Sequence, residues 1–335
     1  MKQSGVLDYT QIVAFWSVVF LPEMEVSMKT FDIVNGPKNV SAIIQGCMRM
    51  PSLSKEDAAE VIRTAYDCGV NFFDHATCYG MGEAETRFSE AFPLTGLKRE
   101  DIYIQSKCGI CPDRQEFDWT KENILTSVDG ILERLKVDYL DTLLLHRPDM
   151  LFDPEEVAEA FDILEQAGKV KWFGVSNLVP MQTELLKKYV KQPLIINQVQ
   201  LSLEQSQLID QALYMNNKTT DMSINRDGNA LDYCRLNDIT IQAWSPLQVG
   251  MFGGSFIDNP DFPELNKVLG ELAEREGVTK AAIAIAWILR HPAKMQAIIG
   301  SMSPVHIKEA CAAADVKLSH HDWYQLYLAA GKFLP

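Results

Sequence analysis

Short apolar runs alternate along this chain with longer stretches whose apolar positions recur every three to four residues. The first pattern suits strands buried on both faces, the second suits helices covering them, and their alternation predicts a parallel sheet with helical crossovers. Strands are expected at 41–45, 70–74, 101–106, 140–145, 171–175, 193–197, 239–243 and 296–299. Eight strand–helix pairs can close into a single (β/α)8 barrel of the α/β class, the TIM-barrel architecture. Punctuation agrees with the helices. Asp153-Pro154-Glu155-Glu156 gives one of them an acidic first turn and Gly168 its end, and another runs from Thr279 to His291 before Pro292. A last apolar-periodic segment near 320–330 predicts an extra C-terminal helix outside the barrel.

The 335 residues, 47% hydrophobic and 23% charged, are enough for one large core. No repeat and no Pro/Gly/Ser-rich linker divides them, so residues 28–335 are expected to form one domain. The longest irregular stretch, 202–228, is expected to be a functional or mobile loop. A formal net charge of -14 disfavours nucleic acid as a partner. The seven cysteines are odd in number and widely spread, which points to a reducing, cytoplasmic setting rather than a disulfide framework. Cys108 and Cys111 form a lone C-x-x-C without zinc-like spacing to histidine, so they read as packing thiols and no metal is expected. Near the start, Ile12 to Leu21 is apolar but too short to span a bilayer, and Pro22-Glu23-Met24-Glu25 replaces the small residues of a cleavage site. Residues 1–27 therefore stand apart as an N-terminal extension, and no membrane partner is expected.

In a barrel of this kind chemistry sits at the C-terminal ends of the strands. There the sequence places Asp74 with Tyr79 in the following loop, then Lys107, His146, Ser176-Asn177, Asn197-Gln198, Trp244-Ser245 and Gly300-Ser301. Taken singly, each residue has an ordinary explanation: a cap, a solvated charge, a packing ring. Together, four of them form a proton-transfer set. A carbonyl receiving hydride needs a proton at its oxygen, and a phenol of ordinary pKa about 10 is a poor acid near neutrality. The ammonium of Lys107 favours the phenolate and so should make Tyr79 a stronger acid, while Asp74 compensates the lysine. His146 can donate to the substrate oxygen and orient it.

The stretch Asp74-His75-Ala76-Thr77-Cys78-Tyr79-Gly80 resembles the first signature of the aldo-keto reductases. Leu143-Leu144-Leu145-His146-Arg147-Pro148-Asp149 resembles their histidine strand, and Gly174-Val175-Ser176-Asn177 and Trp244-Ser245-Pro246-Leu247 resemble their cofactor-binding strand ends. The similarity runs from about residue 30 to the C-terminus and is nearest to the bacterial branch with a short tail. It implies a catalytic tetrad of Asp74, Tyr79, Lys107 and His146. By the same resemblance Ser176, Asn177 and Gln198 hold the nicotinamide carboxamide, Trp244 stacks on the ring, and Ser245 and Leu247 begin the pyrophosphate loop. Gly46 and Arg49 then lie near the cofactor, which in this family is NADP(H) more often than NAD(H). Gly300, Ser301, Ser303 and His306 occupy the stretch that meets the 2′-phosphate, where relatives typically carry Lys or Arg. Phe117 and Trp119 are the expected substrate-pocket residues.

The function expected is reduction of an aldehyde or ketone to an alcohol by a monomer or weak oligomer acting on a small carbonyl compound. A non-catalytic, nicotinamide-sensing regulatory subunit of the same fold is the alternative. A metal-dependent hydrolase using Asp74, His75 and His146 is a poorer match, because the chain lacks an H-x-H or H-E-x-x-H ligand pair.

Overall fold

The computed structural model describes residues 27–250 and 253–335. The expectations for residues 1–26 lie outside the described residues. Eight strands form a closed, all-parallel barrel: β1 Ile43–Gly46, β2 Phe72–Asp74, β3 Tyr103–Cys108, β4 Leu140–Leu145, β5 Val170–Ser176, β6 Leu194–Gln200, β7 Thr240–Trp244 and β8 Gln296–Ile299. Each follows its sequence neighbour around the ring, and β8 pairs with β1 to close it. Differences from the expected strand bounds are local. Arg99–Asp101 forms a helical turn that delays β3, and the Asn71 side chain bonds Ser41 N and Asn39 O ahead of β2.

Several of the helices start where a side chain satisfies a free backbone amide. Ser54, Thr120, Asp153 and Thr279 each accept from an amide in the first turn of the helix they precede. Between helices and strands lies the main apolar layer, which includes Phe161, Phe173, Trp287 and Leu269. Below the strands, a hairpin of Thr30–Phe31 and Val40–Ser41 closes the barrel floor. There Ile33 and Val40 join Ile44, Phe72, Leu144, Ile195 and Ile298 in a separate apolar cluster.

The C-terminal helix His320–Ala329 packs outside the barrel and is fixed by polar contacts. Arg275 grips the Asp322 carboxylate with two bonds of 2.8 and 2.9 Å, and the Tyr327 hydroxyl donates to Asp210 at 2.8 Å. Asp210 belongs to a short helix, Gln207–Leu213, within the stretch read as irregular. Its seven residues are too few to show a periodic signal. It is held by the C-terminal segment, whose Phe333 carbonyl accepts from Tyr214 at 2.5 Å.

Inside the barrel the packing is not wholly apolar. Gln45, Gln105, Gln198, Gln242 and Gln296, from five strands, are all at most 2% exposed. Gln242 Nε2 donates to Gln296 Oε1 at 3.0 Å, and Gln296 passes the chain to the Ser41 carbonyl at 2.8 Å. At its upper end this layer supports the polar rim.

Candidate active site

β2 ends in Asp74, and the chain turns through Tyr79 before the helix Glu83–Ala91. The turn is tight: Gly80, Met81 and Gly82 take left-handed φ values of 59°, 55° and 91° in succession. Glycine accepts this freely, and a Cβ on Gly82 would stand 2.6 Å from Arg134 Nε. That space matters because Arg134 Nε donates to Glu85 Oε2 at 2.7 Å, while Glu85 Oε1 accepts from Ser106 at 2.6 Å. The helix following Tyr79 is thus tied to the strand residue beside Lys107.

Lys107 is wholly buried and its Nζ has three acceptors: Asp74 Oδ2 at 2.6 Å, the His75 carbonyl at 2.7 Å and the Tyr79 hydroxyl at 3.0 Å. An ammonium has three hydrogens, so none is left unpaired. Burial works against the Lys107 charge, but Asp74 and Tyr79 outweigh it and raise its pKa. The other Asp74 oxygen accepts from Gln105 at 2.6 Å and Gln198 at 3.0 Å. The carboxylate is therefore held from the barrel interior as well as by the lysine.

Burial around the hydroxyl pushes the Tyr79 phenol up to about 12, exceeding the downward pull of Lys107. This reverses the expected direction. Desolvation penalises the phenolate more than one ammonium, itself neutralised by Asp74, can recover. His146 stands edge-on to the Tyr79 ring, their centroids 6.0 Å apart. Burial, then Lys107, then Arg147 hold its imidazole well below the usual range, so it is neutral. The Cys78 thiol, itself raised by burial, lies 3.6 Å from its Nδ1.

The arrangement joins a neutral phenol, a buried ammonium–carboxylate pair and a neutral imidazole at one barrel mouth. A model of the aldo/keto reductase family matches residues 42–327. The chain belongs to the aldo/keto reductase family. It is 34% identical over 304 residues to an uncharacterized oxidoreductase, YcsN, of Bacillus subtilis, covering 86% of this chain and 94% of the relative. It is also 32% identical over 305 residues to a 6-dehydroglucose reductase of Agrobacterium fabrum, covering 88% and 95%. Among solved structures, a thermostable aldo-keto reductase superposes with a TM-score of 0.73 at 24% identity, covering 90% of this chain and 100% of that one. The fold is that of the family, and the chain is an oxidoreductase of it.

The residues expected to meet the cofactor are knitted across strand ends. Trp244 Nε1 donates to Asn177 Oδ1 at 3.3 Å, Asn177 Nδ2 to Ser176 Oγ at 2.7 Å, and Ser176 Oγ to the Gln198 carbonyl at 2.9 Å. Asn177 and Ser245 both take left-handed backbone angles where the strands turn outward. Both amide hydrogens of Gln198 are spent on Asp74 and Gln242, which leaves its Oε1 to meet a ligand. Across the mouth Arg49 donates to the Gly300 carbonyl at 3.0 Å, and a Cβ on Gly300 would stand 2.8 Å from that guanidinium. Gln45 Nε2 holds the Ser301 carbonyl at 3.2 Å, and Ser301 Oγ accepts from Ser303 N at 3.2 Å. Gly46 is buried beside Asp74 in register, Leu247 packs against the core, and His306 is exposed on the helix Pro304–Cys311.

The two pocket candidates part company. Phe117 is 47% exposed on a small hairpin of Ile110–Cys111 with Glu116–Phe117. Trp119 is instead wholly buried against Phe152, over Gly109, where a Cβ would stand 2.6 Å from the indole. It supports the loop from beneath rather than lining an open pocket, because glycine leaves a slot that the indole fills.

Sequence reading missed the glutamine layer. Its signal is a repeated interruption of apolar strands by one amide, as in Ile44-Gln45-Gly46, Ile104-Gln105-Ser106 and Ile241-Gln242-Ala243.

Proposed function

We propose that this chain reduces aldehydes or ketones to alcohols with a nicotinamide cofactor, NADP(H) in preference to NAD(H), and with Tyr79 as proton donor. The observation that carries the reading is the Tyr79 hydroxyl at 3.0 Å from the buried Lys107 ammonium and edge-on to neutral His146. The residues fit a polar, partly aromatic cofactor. Gln200 Nε2, at the end of β6 in register with Trp244, is buried without a partner, and Gln198 Oε1 is left over by the barrel network. When bound, the nicotinamide supplies hydride to the carbonyl carbon.

The side chains do the rest. Neutral His146 donates to the substrate oxygen and fixes its direction. As negative charge grows there, Tyr79 gives its proton, since an alkoxide is a far stronger base than a phenolate even at a phenol pKa of about 12. Lys107 then faces the phenolate, and Asp74 keeps the lysine charged throughout. The substrate in this reading is a small carbonyl compound, in keeping with the 6-dehydroglucose reductases among the relatives. Among the described residues no helix is long and apolar enough to cross a membrane. Titration with NADPH and NADH, followed by a panel of aldehydes, ketones and dicarbonyls, tests the reading. Cofactor binding with no single-turnover oxidation by any carbonyl would replace it with a nucleotide-sensing role.

A further inference from the structure

Arg147 follows His146 at the end of β4, and its guanidinium lies over the Trp244 indole, 5.6 Å from the ring centre. The side chain is half-buried, and among the described residues it makes no ion pair or hydrogen bond. Most of the described arginines differ in this: Arg99, Arg134 and Arg275, for example, hold carboxylates at 2.6 to 2.8 Å. Nor is a carboxylate nearby in sequence free to serve. Asp149 Oδ2 accepts from Trp119 N at 2.9 Å and its Oδ1 from Leu151 N at 2.8 Å.

An unpaired, partly desolvated guanidinium is costly in a chain of net charge -14, which has carboxylates to spare. Burial lowers its pKa with nothing to offset it. Its charge also contributes to keeping His146 neutral, which puts it within electrostatic reach of the imidazole. Trp244 gives it a flat platform, fixed in turn by the bond to Asn177. Charge counting at the mouth then selects the ligand. Lys107 is cancelled by Asp74, His146 is neutral, and Arg49, across the mouth, is turned to the Gly300 carbonyl, so Arg147 supplies the positive charge on the His146 side of the mouth. That matches a singly charged carboxylate, whose two oxygens suit the guanidinium fork.

We infer that Arg147 is an anion subsite that binds the carboxylate of a carbonyl acid, while the reacting oxygen lies against Tyr79 and His146. This rests on the carbonyl-reductase reading above, and it narrows the substrate class to oxo acids.

The test uses a matched pair, 4-carboxybenzaldehyde and its methyl ester, with NADPH and the full-length enzyme. Arg147→Met lowers the acid-over-ester ratio of kcat/KM by about ten- to a hundredfold, as expected for losing a charge-assisted pair. Arg147→Lys keeps the charge without the fork and lowers it less. An unchanged ratio in Arg147→Met overturns the inference. So does a loss of NADPH affinity with the ratio intact, which would assign the guanidinium to the cofactor. Benzoate titration followed by tryptophan fluorescence reads the subsite without turnover. Saturable quenching in the wild type that weakens at least about tenfold in Arg147→Met supports the subsite even if neither aldehyde is reduced. Equal binding by both proteins rejects it.

Discussion

The Cys78 thiol lies 3.6 Å from Nδ1 of His146. Burial raises the thiol pKa and lowers that of the imidazole, so both are neutral, and the contact has two forms, with the thiol donating to Nδ1 or Nδ1–H donating to the sulfur. With Nδ1 as acceptor, the imidazole proton resides on Nε2. In the proposed reaction that nitrogen must donate to the substrate oxygen. Cys78→Ser keeps a donor and should keep both the tautomer and kcat. Cys78→Ala should mix the tautomers and lower kcat by about threefold to tenfold, less than the 10²-fold or more of losing a general acid. Nitrogen-15 NMR of the imidazole reads the tautomer directly. An unmixed Nε2–H form in Cys78→Ala would show that the thiol does not set it.

Tyr79→Phe removes the proposed proton donor and keeps the ring that packs edge-on to His146. Carbonyl reduction should fall by about 10²- to 10⁴-fold with cofactor affinity nearly unchanged. In the wild type the phenol, at about 12, stays protonated through the neutral and mildly alkaline range. The chemical step should therefore show no loss from Tyr79 ionisation below about pH 10. Single-turnover rates across that range, in both proteins, check the two statements together. More than half the wild-type rate in Tyr79→Phe would remove Tyr79 from the role.

Much of this site was legible because strand ends expose what strand interiors hide. Asp74 and His146 each close an apolar run, so their polarity stands out, Lys107 lies near the end of its strand, and the turn after β2 delivers Tyr79 to the same rim. The glutamine layer was not legible. An amide inside an apolar strand reads as a flaw until the barrel closes and shows Gln105 bonded to Asp74 and Gln242 across the interior. Trp119 misled for a related reason: adjacency to a catalytic strand says nothing of which side of the loop a ring occupies, and Gly109 decided it. The rise in the Tyr79 pKa depends on desolvation, which neighbouring residue types do not reveal.

Lys107→Met strands the Asp74 carboxylate in the barrel. Removing one member of a buried pair costs about 3–5 kcal/mol. Two amides from Gln105 and Gln198 still reach the other oxygen, so the loss should fall near the lower end, about 3 kcal/mol. Denaturant unfolding measures it. An unchanged midpoint with full activity would mean that the ion pair contributes neither stability nor chemistry.

Acid should destabilise the fold through its buried histidines. His75 is inaccessible to solvent, neither ring nitrogen has a partner, and burial, assisted by Lys107, lowers its pKa to about 3. Below its ordinary pKa of about 6.5 the unfolded chain binds a proton that the native His75 refuses, so stability falls as pH falls. The loss from this group continues until about pH 3. Each pH unit in that window costs up to about 1.4 kcal/mol per histidine. His75→Leu also removes two unpartnered polar atoms, so it should be no less stable at about pH 7. Between about pH 6.5 and pH 5 it should lose about 2 kcal/mol less than the wild type. Parallel stability-versus-pH curves for the two proteins would exclude His75 as the titrating group.

The choice between NADPH and NADH turns on the segment after β8. Relatives typically bring Lys or Arg to the 2′-phosphate there, whereas this chain offers Ser301, Ser303 and an exposed His306. Hydroxyls and a single imidazole donor grip phosphate less strongly than a guanidinium fork. Two features compensate in part. The helix Pro304–Cys311 opens at Ser303, so its amide end favours an anion, and Lys308 is exposed on it. Arg49 reaches across to the Gly300 carbonyl at 3.0 Å and brings its charge beside the same segment. NADPH should therefore bind more tightly, by about ten- to a hundredfold in Kd, as expected when one or two charged contacts are missing. His306→Ala should narrow the preference, because it removes one hydrogen-bond donor from this segment. Arg49→Ala should weaken NADPH more than NADH. Fluorescence-quench titration of both reduced cofactors gives all of these constants. Equal Kd values for NADPH and NADH would withdraw the 2′-phosphate assignment, and a preference unchanged in His306→Ala would remove His306 from it.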